Sequence, residues 1–188
     1  MALTRLAHQL VREHFSDKPK GLAIDATCGN GHDTEFLAKL GFQNVIGFDV
    51  QATAIENTRS RLHAAGCVNV NLVQRGHEHL KDHVSNELSC AMFNFGYLPN
   101  ADKSITTMSK TSVMALSSAL SLLTPQGLIC LICYPGHEEG ALETKAIQNW
   151  LRELPQDKSA SQREWQVKQY LSNNPKPEAP ILYTIIQK

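Results

Sequence analysis

Two periods of apolar positions divide this chain into short elements. Leu3, Leu6, Ala7, Leu10 and Val11 recur at helical spacing, which predicts a helix over residues 3–15. Five short apolar runs read as buried strands: "GLAIDATC" (21–28), "NVIGFDV" (44–50), "NVNLVQR" (69–75), "LSCAMFNFG" (88–96) and "LICLICY" (128–134). Helical patterns lie between them. "DTEFLAKL" stops at Gly41, and residues 52–65 carry Ile55, Thr58, Leu62 and Ala65 on one face before Gly66. A helix after "YLPNADKS" carries Val113, Leu116, Leu120 and Leu123, and "PQG" (125–127) follows as a turn. The helix "ALETKAIQNWLREL" presents Ile147, Trp150, Leu151 and Leu154. "GHEHLKDHV" (76–84) is short and polar, and a polar loop covers 155–163. "WQVKQYL" and "PILYTIIQK" then read as two strands with no helix between them.

Strands alternating with helices imply an α/β protein with a mostly parallel sheet and helices on both faces. The last two strands are expected to pair antiparallel. A leading helix, five strand–helix units and a final strand pair resemble the class I S-adenosylmethionine-dependent methyltransferase fold, a Rossmann-like sheet of seven strands. The 188 residues are expected to form one domain. In such sheets a ligand lies beyond the carboxyl ends of the strands, where strand order reverses. The loops after the first, second and fourth strands are therefore the expected site.

Composition narrows the reading slightly. The formal net charge is zero, so no broadly basic surface advertises a nucleic-acid partner, although a local patch would suffice. No apolar stretch approaches the roughly 20 residues of a membrane span. The amphipathic start lacks the apolar core of a signal peptide, and a cytoplasmic location is expected. Five cysteines are scattered along the chain. Cys130 and Cys133 lie three apart on a predicted strand and so face opposite ways, which argues against a zinc or redox pair.

The stretch "GNGHDT" resembles a dinucleotide-binding turn but has Thr34 where the third glycine belongs. Asp33 and Glu35 fall in the first turn of the following helix, where they would repel a diphosphate. They suit a cationic cofactor such as S-adenosylmethionine. Gly29, Asn30 and Gly31 form the turn, and Asp25 with the turn carbonyls is expected to hold the cofactor's amino group. Asp49 ends the second strand, where a carboxylate can accept both ribose hydroxyls. Gln51 is expected at ribose or adenine. The alternative is that Asp33 and Asp49 only cap helices.

His77 and Glu78 follow the third strand and are candidates for the adenine end, with His79 and His83 solvated. No ligand set completes a metal site. Asn94 ends the fourth strand, where its amide can orient a substrate amine toward a methyl group, and Tyr97 supplies an aromatic wall. Tyr134 and His137 close the fifth strand. His137 can take a proton near neutral pH, cap the next helix or face solvent.

"DATCGNGHDTEFLAKL", "GFDVQ", "RGHEHL", "FNFGYLPNADKSITT" and "YPGHEEG" together resemble small bacterial methylases once labelled rRNA methylases. The resemblance runs from Gly21 to Lys188. It implies methylation of the amino group of 5-aminomethyl-2-thiouridine at the tRNA wobble position, giving 5-methylaminomethyl-2-thiouridine. It also implies a homodimer and binding of the tRNA anticodon stem-loop. The family's cofactor site falls on Asp25, Asn30, Asp33, Asp49, Gln51, His77 and Asn94. The substrate side falls on Tyr97, Asp102, Tyr134 and His137. From their predicted place at the sheet edge, Asp102 or His137 is expected to take the amine proton, directly or through water. Asn100, Ala101, Glu138 and Glu139 depart from the family pattern, as does the loose "NNPKPEAP". Lys103, Lys110 and Arg75 are candidates for phosphate contacts, with solvated surface charge as the alternative. Other readings are methylation of rRNA or a small amine, or a binding protein without catalysis.

Overall fold

A computed structural model describes residues 3–84, 87–96, 107–154, 164–172 and 176–187. Its elements are α1 (Leu3–His14), β1 (Leu22–Asp25), α2 (His32–Leu40), β2 (Asn44–Asp49), α3 (Ala52–Ala64), β3 (Val70–Gln74), β4 (Leu88–Asn94), α4 (Ser109–Leu122), β5 (Leu123–Cys133), α5 (Glu138–Glu153), β6 (Trp165–Leu171) and β7 (Ile181–Gln187). The polar stretch after β3 is a 3₁₀ helix, His77–Asp82.

The strands form one sheet in the order β3-β2-β1-β4-β5-β7-β6. The first five run parallel, while β7 pairs antiparallel with both β5 and β6. This is the expected methyltransferase layout. Strand order reverses between β1 and β4, so the carboxyl ends of those two strands open the crevice.

The alternation along each strand divides the core into two layers. Ala23, Val45, Cys90, Met92, Cys130 and Leu182 pack with α1 and α2 on one face. Ile24, Ile46, Ala91, Phe93, Cys133 and Tyr183 pack with α4 and α5 on the other. Cys130 and Cys133 therefore lie on opposite faces of β5, both buried and both free thiols. No helix among the described residues is long and apolar enough to cross a membrane.

One expected boundary moves. "PQG" is not a turn between α4 and β5; it lies inside β5. Leu88 pairs with Leu123 and Cys90 with Leu128, so the chain bulges outward between them with Pro125 and Gln126 exposed. Leu123 consequently belongs to the strand and not to the helix. Gly127 makes this possible, because a Cβ there would lie 2.6 Å from Leu123 Cγ and 3.0 Å from the Ser89 carbonyl oxygen.

Gly140 and Gly41 give contrasting tests of packing and backbone strain. A Cβ at Gly140 would stand 2.1 Å from the Tyr134 carbonyl oxygen, a backbone atom that cannot swing away. Gly41 has φ 94° but open space around it. Gly140→Ala is expected to cost about 3 kcal/mol, against about 1 kcal/mol for Gly41→Ala. Urea midpoints of the two variants in the reverse order would contradict this.

Candidate functional site

The glycine turn takes its shape from α3. Gly29 and Gly31 have φ 51° and 79°, and a Cβ on Gly31 would sit 3.0 Å from the Thr58 Cα. Glycine lets α3 approach that closely. Three α3 side chains then grip the turn. Thr58 Oγ1 donates to the Gly29 carbonyl at 3.0 Å, Arg61 Nε to the Asn30 carbonyl at 2.7 Å, and Asn57 Nδ2 to Asn30 Oδ1 at 3.1 Å. The Gly29 and Asn30 carbonyls, expected to meet a cofactor's amino group, are thus turned toward α3 instead.

Arg61 has a second effect. It donates to Glu35 at 3.1 Å, and Lys39 donates to the same carboxylate at 2.6 Å. The Lys39 and Arg61 hydrogen bonds hold the Glu35 carboxyl below its ordinary range. Glu35 is therefore neutralised on the α3 side, and of the two first-turn acids only Asp33 faces the crevice. Neither first-turn acid caps α2; the residue before the helix is Gly31, with no side-chain cap.

Three further carboxylate placements build the crevice. Asp25 is fully buried and receives Thr34 Oγ1 at 2.6 Å and the Thr27 N–H at 3.3 Å. Asp25, Gly31 and Thr34 stand behind the cavity wall and hold the turn. Burial pushes the Asp25 carboxyl up to about 7, and the nearby Asp33 charge adds to the rise. Asp49 accepts the Gly29 N–H at 3.0 Å on one oxygen and the Gln51 N–H at 2.9 Å on the other. Burial also raises its carboxyl, with those two N–H bonds opposing the rise. The Val50 N–H opposes the rise as well, and Asp49 lines the cavity.

Asp33 is 5% exposed. It meets His8 Nε2 at 2.6 Å through Oδ1, and Asn94 Nδ2 donates to its Oδ2. A carboxylate only accepts, so this contact fixes which end of the Asn94 amide is the nitrogen. The Asn94 carbonyl then faces Tyr134, whose hydroxyl lies 3.4 Å away. The Asn94 N–H donates to Thr27 Oγ1 at 2.7 Å, which ties β4 to the loop after β1.

These groups surround a cavity of about 770 Å³ at the carboxyl edge of the sheet. Of the expected site residues, Gly29, Asn30, Asp33, Asp49, Gln51, His77, Glu78, Asn94, Tyr134 and His137 line it. Tyr97 and Asp102 lie outside the described residues, as does Lys103. Among the described lining residues, Asp33, Asp49, Glu78 and Glu178 are acidic and only Arg75 is an arginine or lysine. Arg75, expected as surface charge, is exposed and also reaches this wall, whereas Lys110 is exposed at the start of α4. No group of three or more His, Cys, Asp or Glu among the described residues is arranged to hold a metal ion.

His77 is 7% exposed, and its ring meets Phe93 and Phe95 edge-on. Burial lowers its pKa, and Nε2 has no hydrogen-bond partner among the described residues. His79 and His83 are exposed. His137 realises the capping alternative: its Nδ1 accepts the Gly140 N–H at 3.1 Å at the start of α5. In that tautomer the ring proton sits on Nε2, so His137 cannot take another proton without releasing its cap.

Several wall residues carry no local signal in the sequence. Thr4 lines the cavity, and His8, one turn further along α1, reaches Asp33 across 25 residues. Thr27, Thr107 and Glu178 also line the wall. Only the polar pair on the flank of an apolar helical stripe hinted at Thr4 and His8.

The family model described as "Putative rRNA methylase" matches residues 45–186. A curated relative, the chloroplastic tRNA (mnm5s2U34)-methyltransferase of Arabidopsis thaliana, is 38% identical over 145 residues, covering 70% of this chain and 53% of that protein. The chain thus spans about half the length of that relative. A solved structure from Clostridium thermocellum, described as a "putative rRNA-methylase", superposes with a TM-score of 0.88 at 32% identity, covering 98% of this chain and 97% of that one. A "putative methyltransferase" from Streptococcus mutans, solved in complex with SAH, gives 0.81 at 31% identity, covering 96% and 97%.

Asp25 makes stability depend on pH with a definite sign. Its carboxyl rises from 3.8 to about 7 on folding, so the folded chain holds a proton that the unfolded chain releases. That contribution is complete below 3.8 and is lost as pH climbs through 7. Asp25→Asn removes the titration, and its melting temperature is expected to gain on the parent's between pH 4 and 8. A constant gap across that window would contradict the raised carboxyl.

Proposed function

We propose that this chain, which belongs to the rRNA methylase family, is an S-adenosylmethionine-dependent methyltransferase acting on a primary amine of tRNA. The observation that carries the reading is Asn94, held at the carboxyl end of β4 between Asp33 and Tyr134 over an acid-walled cavity. The substrate we assign is 5-aminomethyl-2-thiouridine at the wobble position, converted to 5-methylaminomethyl-2-thiouridine. The named activity of the Arabidopsis relative supports that choice.

The residues present fit the cofactor. Asp49 would accept ribose hydroxyls, and Asp33 would face the cationic end. His77 Nε2, with no hydrogen-bond partner among the described residues, would meet the base. The excess of carboxylates disfavours a diphosphate and suits a cation. When bound, S-adenosylmethionine supplies an electrophilic methyl group on a sulfonium.

The chain's own part is orientation. With Nδ2 committed to Asp33, the Asn94 carbonyl is presented to accept a substrate N–H, which aims the nitrogen lone pair along one line. Holding two reacting atoms about 3–3.5 Å apart in line supplies several kcal/mol of a barrier without covalent help. The amine gives up a proton as it reacts. The acceptor we assign is Asp102 or His137, the latter only on release of its cap to the Gly140 N–H. The homodimer belongs to the same proposal, and light scattering would test it.

Two substitutions separate binding from chemistry. Asp49→Ala is expected to weaken S-adenosylmethionine binding by about 10–100-fold, the worth of charge-assisted bonds to hydroxyls. Calorimetry showing undiminished affinity would refute the ribose role. Asn94→Ala is expected to bind the cofactor within about threefold of the parent while turnover falls about a hundredfold; undiminished turnover would remove Asn94 from the chemistry. Nucleosides from cells lacking the gene should accumulate 5-aminomethyl-2-thiouridine. An unchanged tRNA profile with a methyl group missing from rRNA would move the substrate there.

A further inference from the structure

Glu143 lies on α5, outside the cavity wall, and is 1% exposed. A carboxylate this deeply buried needs donors to offset its lost hydration. Ser112 Oγ on α4 supplies one at 2.5 Å, and Thr107 Oγ1 supplies another at 2.8 Å. Burial nevertheless raises the Glu143 carboxyl above its ordinary value. Binding α4 to α5 would need only the Ser112 bond. The Thr107 bond leads elsewhere.

Thr107 Oγ1 also accepts the Gly96 N–H at 2.8 Å, and the Thr107 N–H donates to the Gly96 carbonyl at 3.0 Å. Thr107 thus satisfies both backbone groups of Gly96. A hydroxyl carries one proton. One of its two lone pairs receives Gly96, and its proton is donated to Glu143. The carboxylate therefore sets the rotor that makes Thr107 an acceptor. Gly96 itself has φ 147°, a conformation that favours glycine, and a Cβ there would lie 3.7 Å from the Tyr134 ring. One residue earlier, the Phe95 N–H still follows the sheet ladder to the Ile132 carbonyl at 3.0 Å. Past Phe95, among the described residues, the backbone of Gly96 is held by Thr107.

We propose that Glu143 is a positioning residue for the reacting edge of β4, acting through Thr107 on Gly96 and so on the amide of Asn94 two residues earlier. The proposal rests on Asn94 being the amine-orienting group. It accounts for a carboxylate where an apolar side chain would pack α5 on α4 without a desolvation cost. Glutamine at this position would offer only one acceptor oxygen to two hydroxyls. Valine at Thr107 would leave the Gly96 N–H without its partner. Serine there would keep the hydroxyl and the whole relay.

The test reads the backbone and the chemistry separately. In the cofactor-free protein, amide exchange at Gly96 is expected to quicken about tenfold in Glu143→Gln and in Thr107→Val, the loss of roughly one hydrogen bond. Thr107→Ser is expected to recover the protection. With S-adenosylmethionine and tRNA bearing 5-aminomethyl-2-thiouridine, kcat should fall between about tenfold and about a hundredfold in the first two variants. KM for S-adenosylmethionine should stay within about twofold. Unchanged Gly96 exchange, or unchanged kcat beside lowered stability, would overturn the proposal and leave Glu143 as helix packing. If Glu143→Gln does not fold, the Thr107 pair decides alone. A parent protein that transfers no methyl to this tRNA would refute the assigned substrate, while the exchange result would still report on the relay.

Discussion

A carboxylate taken out of water must be met by donors, and that constraint organises the carboxyl edge of this sheet. Asp25 draws Thr34 and the Thr27 N–H, which folds the turn back over β1. Asp49 draws the Gly29 and Gln51 N–H groups, which closes the turn against the end of β2. Asp33 draws His8 from α1 and Asn94 from β4. Glu143 draws Thr107 and Ser112. Asp33, Asp49 and Glu143 join segments that are distant in the chain, Asp25 holds its own turn, and together they set the geometry of the cavity.

The sign of the site follows from the same arrangement. Arg61 and Lys39 compensate Glu35 on the far side of the turn, so they add no positive charge to the crevice. The α3 side chains meanwhile turn the Gly29 and Asn30 carbonyls outward. What remains facing inward is an excess of carboxylates, the strand-end amide of Asn94 and the imidazole of His77, whose Nε2 has no hydrogen-bond partner among the described residues. A neutral chain can therefore carry a pocket whose described lining holds more carboxylates than arginines and lysines. The neutrality of the whole said little about the site.

The strand and helix pattern was legible because burial repeats every two or three to four residues, and the two-layer core follows that repeat. The bulge at "PQG" was not, since proline and glycine mark a turn and a strand bulge alike. Asp33, Asp49 and Asn94 could be picked out by their places at the ends of strands or the start of a helix. The His8–Asp33 and Thr107–Glu143 contacts could not, because their partners stand 25 and 36 residues apart. Asp25 was read as a direct ligand because it ends β1. Its local partner Thr34 turns it inward, an outcome that depends on a side-chain rotamer that no residue pattern records. His137 was read as a base or a cap, and the two are exclusive once Nδ1 accepts the Gly140 N–H.

The central claim is that this acid-walled crevice serves methyl transfer to a primary amine. The most direct measurement mixes the protein with S-adenosylmethionine bearing an isotopically labelled methyl group and tRNA bearing 5-aminomethyl-2-thiouridine. The nucleosides are then weighed by mass spectrometry. The account predicts one labelled methyl on that nucleoside and its appearance as 5-methylaminomethyl-2-thiouridine. Label on another nucleoside, or none on the RNA, would contradict it.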